Sequence, residues 1–424
     1  MIVSSISNIA IRIASVGLLL VLNIQLARAL GPENYGVLAF TMAWVQLLAI
    51  LVQFGLPTAL TRSTTLAVEH GETERLRSEL FSSLTLMLLT WCAIVALCLA
   101  LWGLVAEPRG GLELATPALL AVLILALGPV IAGVLVGLGQ VVSSQLPDQI
   151  ARPGLYCAAL ALAFLAGHAL SPASALWLQV ATAGMAVLAG SAILWRSLPA
   201  RGTPAWIRPF QLAQGVRPFL ILALVQGLSG HAAILVLGQL ASDVELAHFR
   251  VAMQISDALN LVLLGISVVI GPMVTRYHSR KDWAGLQQTV IWAHRGGFLL
   301  LLPPVIILVV WAEPILTLVF GRDYAPAYQA MQILLVGKLV YALVAFSGLV
   351  LAMMEKPGLA SISVMTGFAG SMLLLYPLFT AFGLVGAAFS VVFGALITNA
   401  VALVICRQLA SRGLSAVALM KEAK

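Results

Sequence analysis

Residues 26–62 read LARALGPENYGVLAFTMAWVQLLAILVQFGLPTALTR, and this stretch decides the fold. Gly31-Pro32 stops a first apolar helix, because the proline ring has no amide hydrogen to donate. From Tyr35 to Thr61 no residue is charged, which is long enough at about 1.5 Å per residue to cross an apolar core of about 30 Å. The stretch is therefore a hairpin of two membrane helices joined by a very short polar turn. A weaker copy follows in the second half, where Asp243-Val-Glu-Leu-Ala-His-Phe249 precedes a long helix closing on Gly271-Pro272 and Thr275-Arg276. Two such hairpins predict two equivalent halves.

Composition agrees. Of 424 residues, 61% are hydrophobic and 9% charged, with a mean hydropathy of +1.04, more apolar surface than a water-soluble core can hide. The chain reads as an all-α integral membrane protein. Its net charge of +7 matters less than where each cation sits, so nucleic acid is not an expected partner. Cys92, Cys98, Cys157 and Cys406 lie in or beside apolar runs without metal-ligand spacing and read as buried hydrophobes. Ala27-Arg28-Ala29 resembles a signal-peptide cleavage site, but only Arg12 precedes it and a second span follows at once, which predicts an uncleaved first helix.

Twelve apolar segments follow, near 7–29, 35–60, 80–105, 115–137, 153–169, 172–195, 218–241, 246–272, 296–319, 327–352, 358–380 and 384–406. Loops 61–79, 138–152, 196–217, 273–295 and 353–357, together with the tail, hold 17 of the 23 Lys and Arg. The opposite turns hold Arg109 and Arg322. By the positive-inside rule both termini are expected in the cytoplasm. Loop 196–217, rich in Pro and Arg, is the natural boundary between an N-terminal bundle, 1–205, and a C-terminal bundle, 206–424, of six helices each. Breaks in the helical hydrogen-bond ladder are expected at Gly128-Pro129, Gly271-Pro272, Pro303-Pro304 and Pro377, and Gly133-x-x-x-Gly137 as a close helix contact.

Four cations remain in or at the edge of spans: Arg12, Arg28, Arg250 and Lys338. A charge near the bilayer centre costs about 2.5–3.5 kcal/mol on insertion scales, so such residues face a cavity or a partner. Ser5, Asn8, Arg12 and Asn23 share one stripe of the first helix; Gln46, Gln53 and Pro57 share a face of the second; Arg250, Gln254 and Asp257 sit at i, i+4 and i+7 of the eighth. These stripes, with Lys338, predict a watery central cavity, cationic on balance, that receives a phosphate or pyrophosphate group. Arg28 and, on even terms, Arg250 are alternatively snorkelling residues. Asp257 is expected either to neutralise a cation on a neighbouring helix or to couple transport to an ion. The six histidines show no metal-ligand spacing, no Walker sequence is present, and no cofactor or catalytic group is expected.

The motif opening at Leu26, followed by Phe54-Gly-Leu-Pro-Thr-Ala-Leu-Thr-Arg62, resembles the opening of bacterial polysaccharide flippases of the Wzx/RfbX type. Phe320-Gly-Arg-Asp-Tyr-Ala-Pro-Ala327 and Phe382-Gly-Leu-Val-Gly-Ala-Ala-Phe389 resemble that family's second-half signatures. The resemblance implies the MOP superfamily fold, two six-helix bundles in a V, and a substrate of undecaprenyl-diphosphate-linked oligosaccharide. It also implies a multi-pass protein of the inner membrane that serves O-antigen, capsule or exopolysaccharide assembly, with a polysaccharide polymerase and a chain-length regulator as partners. The chain departs from a sugar-stacking pattern in having few aromatics. The alternatives are a MATE-like cation or drug antiporter of the same superfamily, a membrane-embedded glycan polymerase or ligase, and a non-transporting scaffold.

Overall fold

A computed structural model describes residues 2–71, 73–101, 111–198, 209–353 and 357–422. The expected division at 205/206, the turn with Arg109 and the loop residue Lys356 lie outside the described residues, as do the side chains of Ser5 and Asn8. Every regular element among the described residues is helical. In order they are α1 (Ile2–Gln53), α2 (Leu56–His70), α3 (Thr73–Leu101), α4 (Gly111–Gly137), α5 (Val141–Gln145), α6 (Arg152–Leu165), α7 (Pro172–Ser197) and α8 (Pro209–Leu240). Then come α9 (Asp243–Ala258), α10 (Asn260–Ser279), α11 (Trp283–Val310), α12 (Ala312–Val319), α13 (Tyr328–Ala342), α14 (Ser347–Met353), α15 (Pro357–Phe382) and α16 (Leu384–Glu422). The chain forms two compact units, 1–247 and 248–424.

Among the described residues, nine helices are long and apolar enough to cross a membrane. The first, Ala10–His70, carries two of the expected segments. Those expected at 153–169 and 327–352 fall on the shorter α6 and on α13 with α14. Outward-facing Leu165, Leu318 and Leu373 are about four-fifths exposed, as expected of a surface solvated by lipid tails. The protein is an all-α multi-pass membrane protein.

In the first unit, α1 bends at Gly31 (φ 72°, ψ 169°) and resumes at once, so the expected polar turn shrinks to one residue. A second break follows at Phe54 (φ 52°) and Gly55 (φ 74°). A Cβ on Gly55 would fall 2.5 Å from the Leu220 amide nitrogen and 2.7 Å from the Phe219 carbonyl carbon, so only glycine fits both the backbone and the space. This break separates Gln46 and Gln53 from Pro57, which does not share their helix. The core lies between the second half of α1, α2 and α4, around Val52, Leu56, Ala126, Val130 and Leu135. There α4 presents Gly133 to the Pro57 carbonyl and Gly137 to Thr64, and Thr61 Oγ1 donates to the Gly133 carbonyl at 3.0 Å. α8 packs on α1, with Gly227 against Ile50 and Gly238 against Phe40.

In the second unit, α15 and α16 pack along their length through Gly367, Gly370 and Gly394, with α13 against α16 and α11. His248 bonds the Asp323 carbonyl at 2.8 Å, so its Nε2 carries the hydrogen.

One expectation is corrected. The charged stretches 61–79, 138–152 and 273–295 are mostly helix: α2 runs to His70, a π-helical turn, Leu146–Ala151, links α5 to α6, and only Arg280–Asp282 separate α10 from α11. Polarity marks where a chain leaves the apolar layer, not where its helix ends. At the expected prolines the ladder is interrupted without the helix ending, since α4, α10, α11 and α15 run through Pro129, Pro272, Pro303, Pro304 and Pro377. A proline removes one bond, and neighbouring groups in a membrane helix can satisfy the freed carbonyl. Two breaks with no proline nearby, at Leu259 and at Leu343, frame the site.

Candidate functional site

α9 and α10 meet at Leu259 in one tightened helical turn (φ −68°, ψ −15°), with Leu259 N–H on the Ser256 carbonyl (3.3 Å) and Val262 N–H on the Leu259 carbonyl (3.2 Å). α13 ends in a similar turn, with Leu343 N–H on the Val340 carbonyl (3.1 Å) and Val344 N–H on the Tyr341 carbonyl (2.9 Å). Buried Ser256 donates to the Leu334 carbonyl at 3.4 Å and ties the first turn to α13. Gly337 leaves room for Val392 of α16 to press on the same face of α13. Together they line a half-open cavity of about 240 Å³ whose polar lining is Ser256, Asp257, Asn260, Lys338 and Tyr341.

Lys338 is the charge at its centre. Its Nζ donates to Asn260 Oδ1 at 3.0 Å, lies 3.9 Å from Asp257 Oδ1, and stands 5.5 Å from the centroid of the Tyr341 ring. Asn260 Nδ2 in turn donates to Asp257 Oδ1 at 3.2 Å. An ammonium has no acceptor, so only the amide oxygen can face Lys338, and the orientation of Asn260 is fixed. The lysine side chain is 17% exposed and that of Asp257 54%. The cation is thus held inside, and the acid reaches outward from it. Such an arrangement can receive an anion without first burying a new charge.

Lys338 and Asp257, expected separately, are therefore neighbours. Arg250 and Gln254 lie on α9 with Asp257, both half-buried, but do not line this cavity. Arg12, Asn23, Gln46 and Gln53 belong to the first unit, all on α1. Arg12 is exposed, and Gln46 and Gln53 are half-buried. Asn23 is committed locally: Nδ2 donates to the Leu19 carbonyl at 2.7 Å, and Oδ1 accepts from Tyr35.

The sequence reading missed Asn260 and Tyr341. A signal was available, since Ser256, Asp257 and Asn260 crowd one turn of an apolar span. It also assigned Arg152 to a loop. In the structure Arg152 Nε pairs with Asp148 Oδ1 at 2.9 Å across the π-helical turn, beside a cavity of about 20 Å³ in the first unit.

The helices define a multi-pass membrane protein, and its fold is that of solved MOP superfamily transporters. The chain matches an inward-facing multidrug resistance MATE family transporter with a TM-score of 0.76 at 15% identity, covering 94% of this chain and 95% of that one. It matches the lipid II flippase MurJ, in an inward closed conformation, with 0.72 at 12% identity, covering 96% and 88%. A MOP superfamily transporter from Pyrococcus furiosus, described as having a binding pocket of reverse polarity, matches with 0.66 at 16% identity, covering 96% and 95%. The model of the polysaccharide biosynthesis protein family matches residues 2–278, and the chain belongs to that family. No curated protein matches it in sequence.

Proposed function

We propose that the protein is a flippase that moves undecaprenyl-diphosphate-linked oligosaccharide from the cytoplasmic to the periplasmic leaflet of the bacterial inner membrane. It would work by alternating access between halves 1–205 and 206–424, with both termini cytoplasmic. Its products would feed O-antigen, capsule or exopolysaccharide assembly through a polymerase and a chain-length regulator. The observation that carries this reading is Lys338: the charge most enclosed in the second unit's cavity is a cation, suited to a diphosphate and opposed to a cationic drug. Membership of a polysaccharide biosynthesis family and a fold shared with a lipid flippase support it. In this reading the cations Lys338, Arg12 and Arg250 take the diphosphate. Gln46, Gln53 and Gln254 meet the hydrated glycan, and Asp257 carries the ion coupling. The function is transport, without a chemical step or a cofactor.

One observation favours a second reading, a cation or drug antiporter: Asp257 is half-exposed at the mouth of a cavity that also holds Met253 and Tyr341. Ligand-dependent thermal stability of the purified chain in detergent separates the two, because a ligand that binds only the folded state stabilises it by mass action. The flippase reading expects stabilisation by undecaprenyl-diphosphate saccharide, lost in Lys338→Ala combined with Arg12→Ala. Stabilisation by lipophilic cations alone would replace it with the antiporter.

A further inference from the structure

The cluster around Lys338 is closed on itself. Lys338 donates to Asn260, Asn260 donates to Asp257, and Asp257 faces Lys338. A buried ammonium cannot stand empty in an apolar span, so a partner must accompany it whenever substrate is absent. Asp257 and Asn260 fill that role, and both come from the α9–α10 junction, which Ser256 ties to α13.

We propose that Asp257, with Asn260 as its bridge, is a built-in counter-ion that an incoming phosphate-type anion must displace from Lys338, so that the empty site is self-neutralised and selects for highly charged diphosphates. This deepens the flippase reading and rests on it. Three features support displacement. The Asp257 contact is long, at 3.9 Å, so the carboxylate neutralises Lys338 without locking it. Asp257 is 54% exposed and can turn to water when it leaves, which lowers the penalty of separation. Asn260 holds the short bond, at 3.0 Å, through a neutral amide whose other end already donates hydrogens. A monoanion gains little by exchanging with a carboxylate of equal charge, whereas a diphosphate brings more charge and more acceptor oxygens to the same ammonium.

The test is equilibrium binding to the full chain in detergent of three probes: inorganic pyrophosphate, a short polyprenyl diphosphate, and glucuronate as a monoanion. Removing a half-exposed competitor should tighten pyrophosphate binding about fivefold in Asp257→Asn. Asn260→Ala should tighten it less, Lys338→Ala should abolish it, and glucuronate should stay weak in the wild type. If Asp257→Asn proves too unstable to purify, Asn260→Ala decides, and weaker diphosphate binding in it overturns the proposal. If only the prenyl compound binds, with the same order among variants, the proposal holds for a lipid headgroup rather than free phosphate. If Asp257→Asn loses affinity as Lys338→Ala does, or neither changes it, the counter-ion idea fails while the flippase reading survives on wild-type binding of the prenyl diphosphate. If no diphosphate binds the wild type, both fall.

Discussion

The Tyr35 hydroxyl donates to Asn23 Oδ1 at 3.1 Å, across the Gly31 bend and twelve residues along the chain. In a straight helix these residues would stand about 18 Å apart, so the bond exists only because Gly31 turns the chain, and it braces the turn it depends on. Tyr35 is 2% exposed. Tyr35→Phe should therefore lower stability by about 1 kcal/mol, the usual worth of one such bond, with a similar loss for Asn23→Leu. Chemical unfolding in detergent checks this, and an unchanged midpoint for both variants would refute the brace.

Gly55 should tolerate no side chain. Its φ of 74° and its approach to Phe219 and Leu220 combine backbone strain with overpacking, together about 2–4 kcal/mol for alanine. A fall in the melting temperature of Gly55→Ala well beyond that of Gly230→Ala, which has open space around it, is the expected outcome.

Phe40 and Gly238 offer a cross-link. A Cβ built on Gly238 lies 3.2 Å from Phe40 Cγ, near the place a cysteine sulfur would take. Phe40→Cys with Gly238→Cys, in a background lacking the four native cysteines, should form a disulfide on oxidation. If the seam between α1 and α8 opens in each transport cycle, oxidation arrests transport and reduction restores it. A cross-linked protein that still transports at the wild-type rate would assign that seam to the static part of the molecule.

Gly337 precedes Lys338 and lets Val392 approach α13, where a methyl group would meet Val392 Cγ1 at 2.7 Å. Gly337→Ala should cost about 1–3 kcal/mol through overpacking, and it should also weaken diphosphate binding by shifting α13 at the lysine. A loss of stability with binding intact would show that Asp257 and Asn260, rather than the packing of α13 on α16, position Lys338.

Fold class and membrane character were legible because they rest on long apolar runs, which few other solvents than lipid can accommodate. Helix boundaries were not. The charges of Arg62 and Glu69 on α2, or of Arg276 on α10, looked like loop composition, yet helices continue into the aqueous layer wherever hydrogen bonds do. Proline drew attention to Pro272, whereas the break that frames the site lies at Leu259. The site was half legible: Lys338 stood out because an isolated cation in an apolar span demands a reason. That Asp257 is its neighbour depends on α9 meeting α13 through Ser256 and Leu334, residues about 80 positions apart, which one-dimensional spacing cannot show.

The single-residue junction at Gly31 also constrains how the chain enters a bilayer. With no loop to pay out, the two spans it joins cannot partition far apart in time, since one end of each is anchored within a residue of the other. This stretch then enters the membrane as a helical pair, with the Tyr35–Asn23 bond able to form as soon as that pair leaves water.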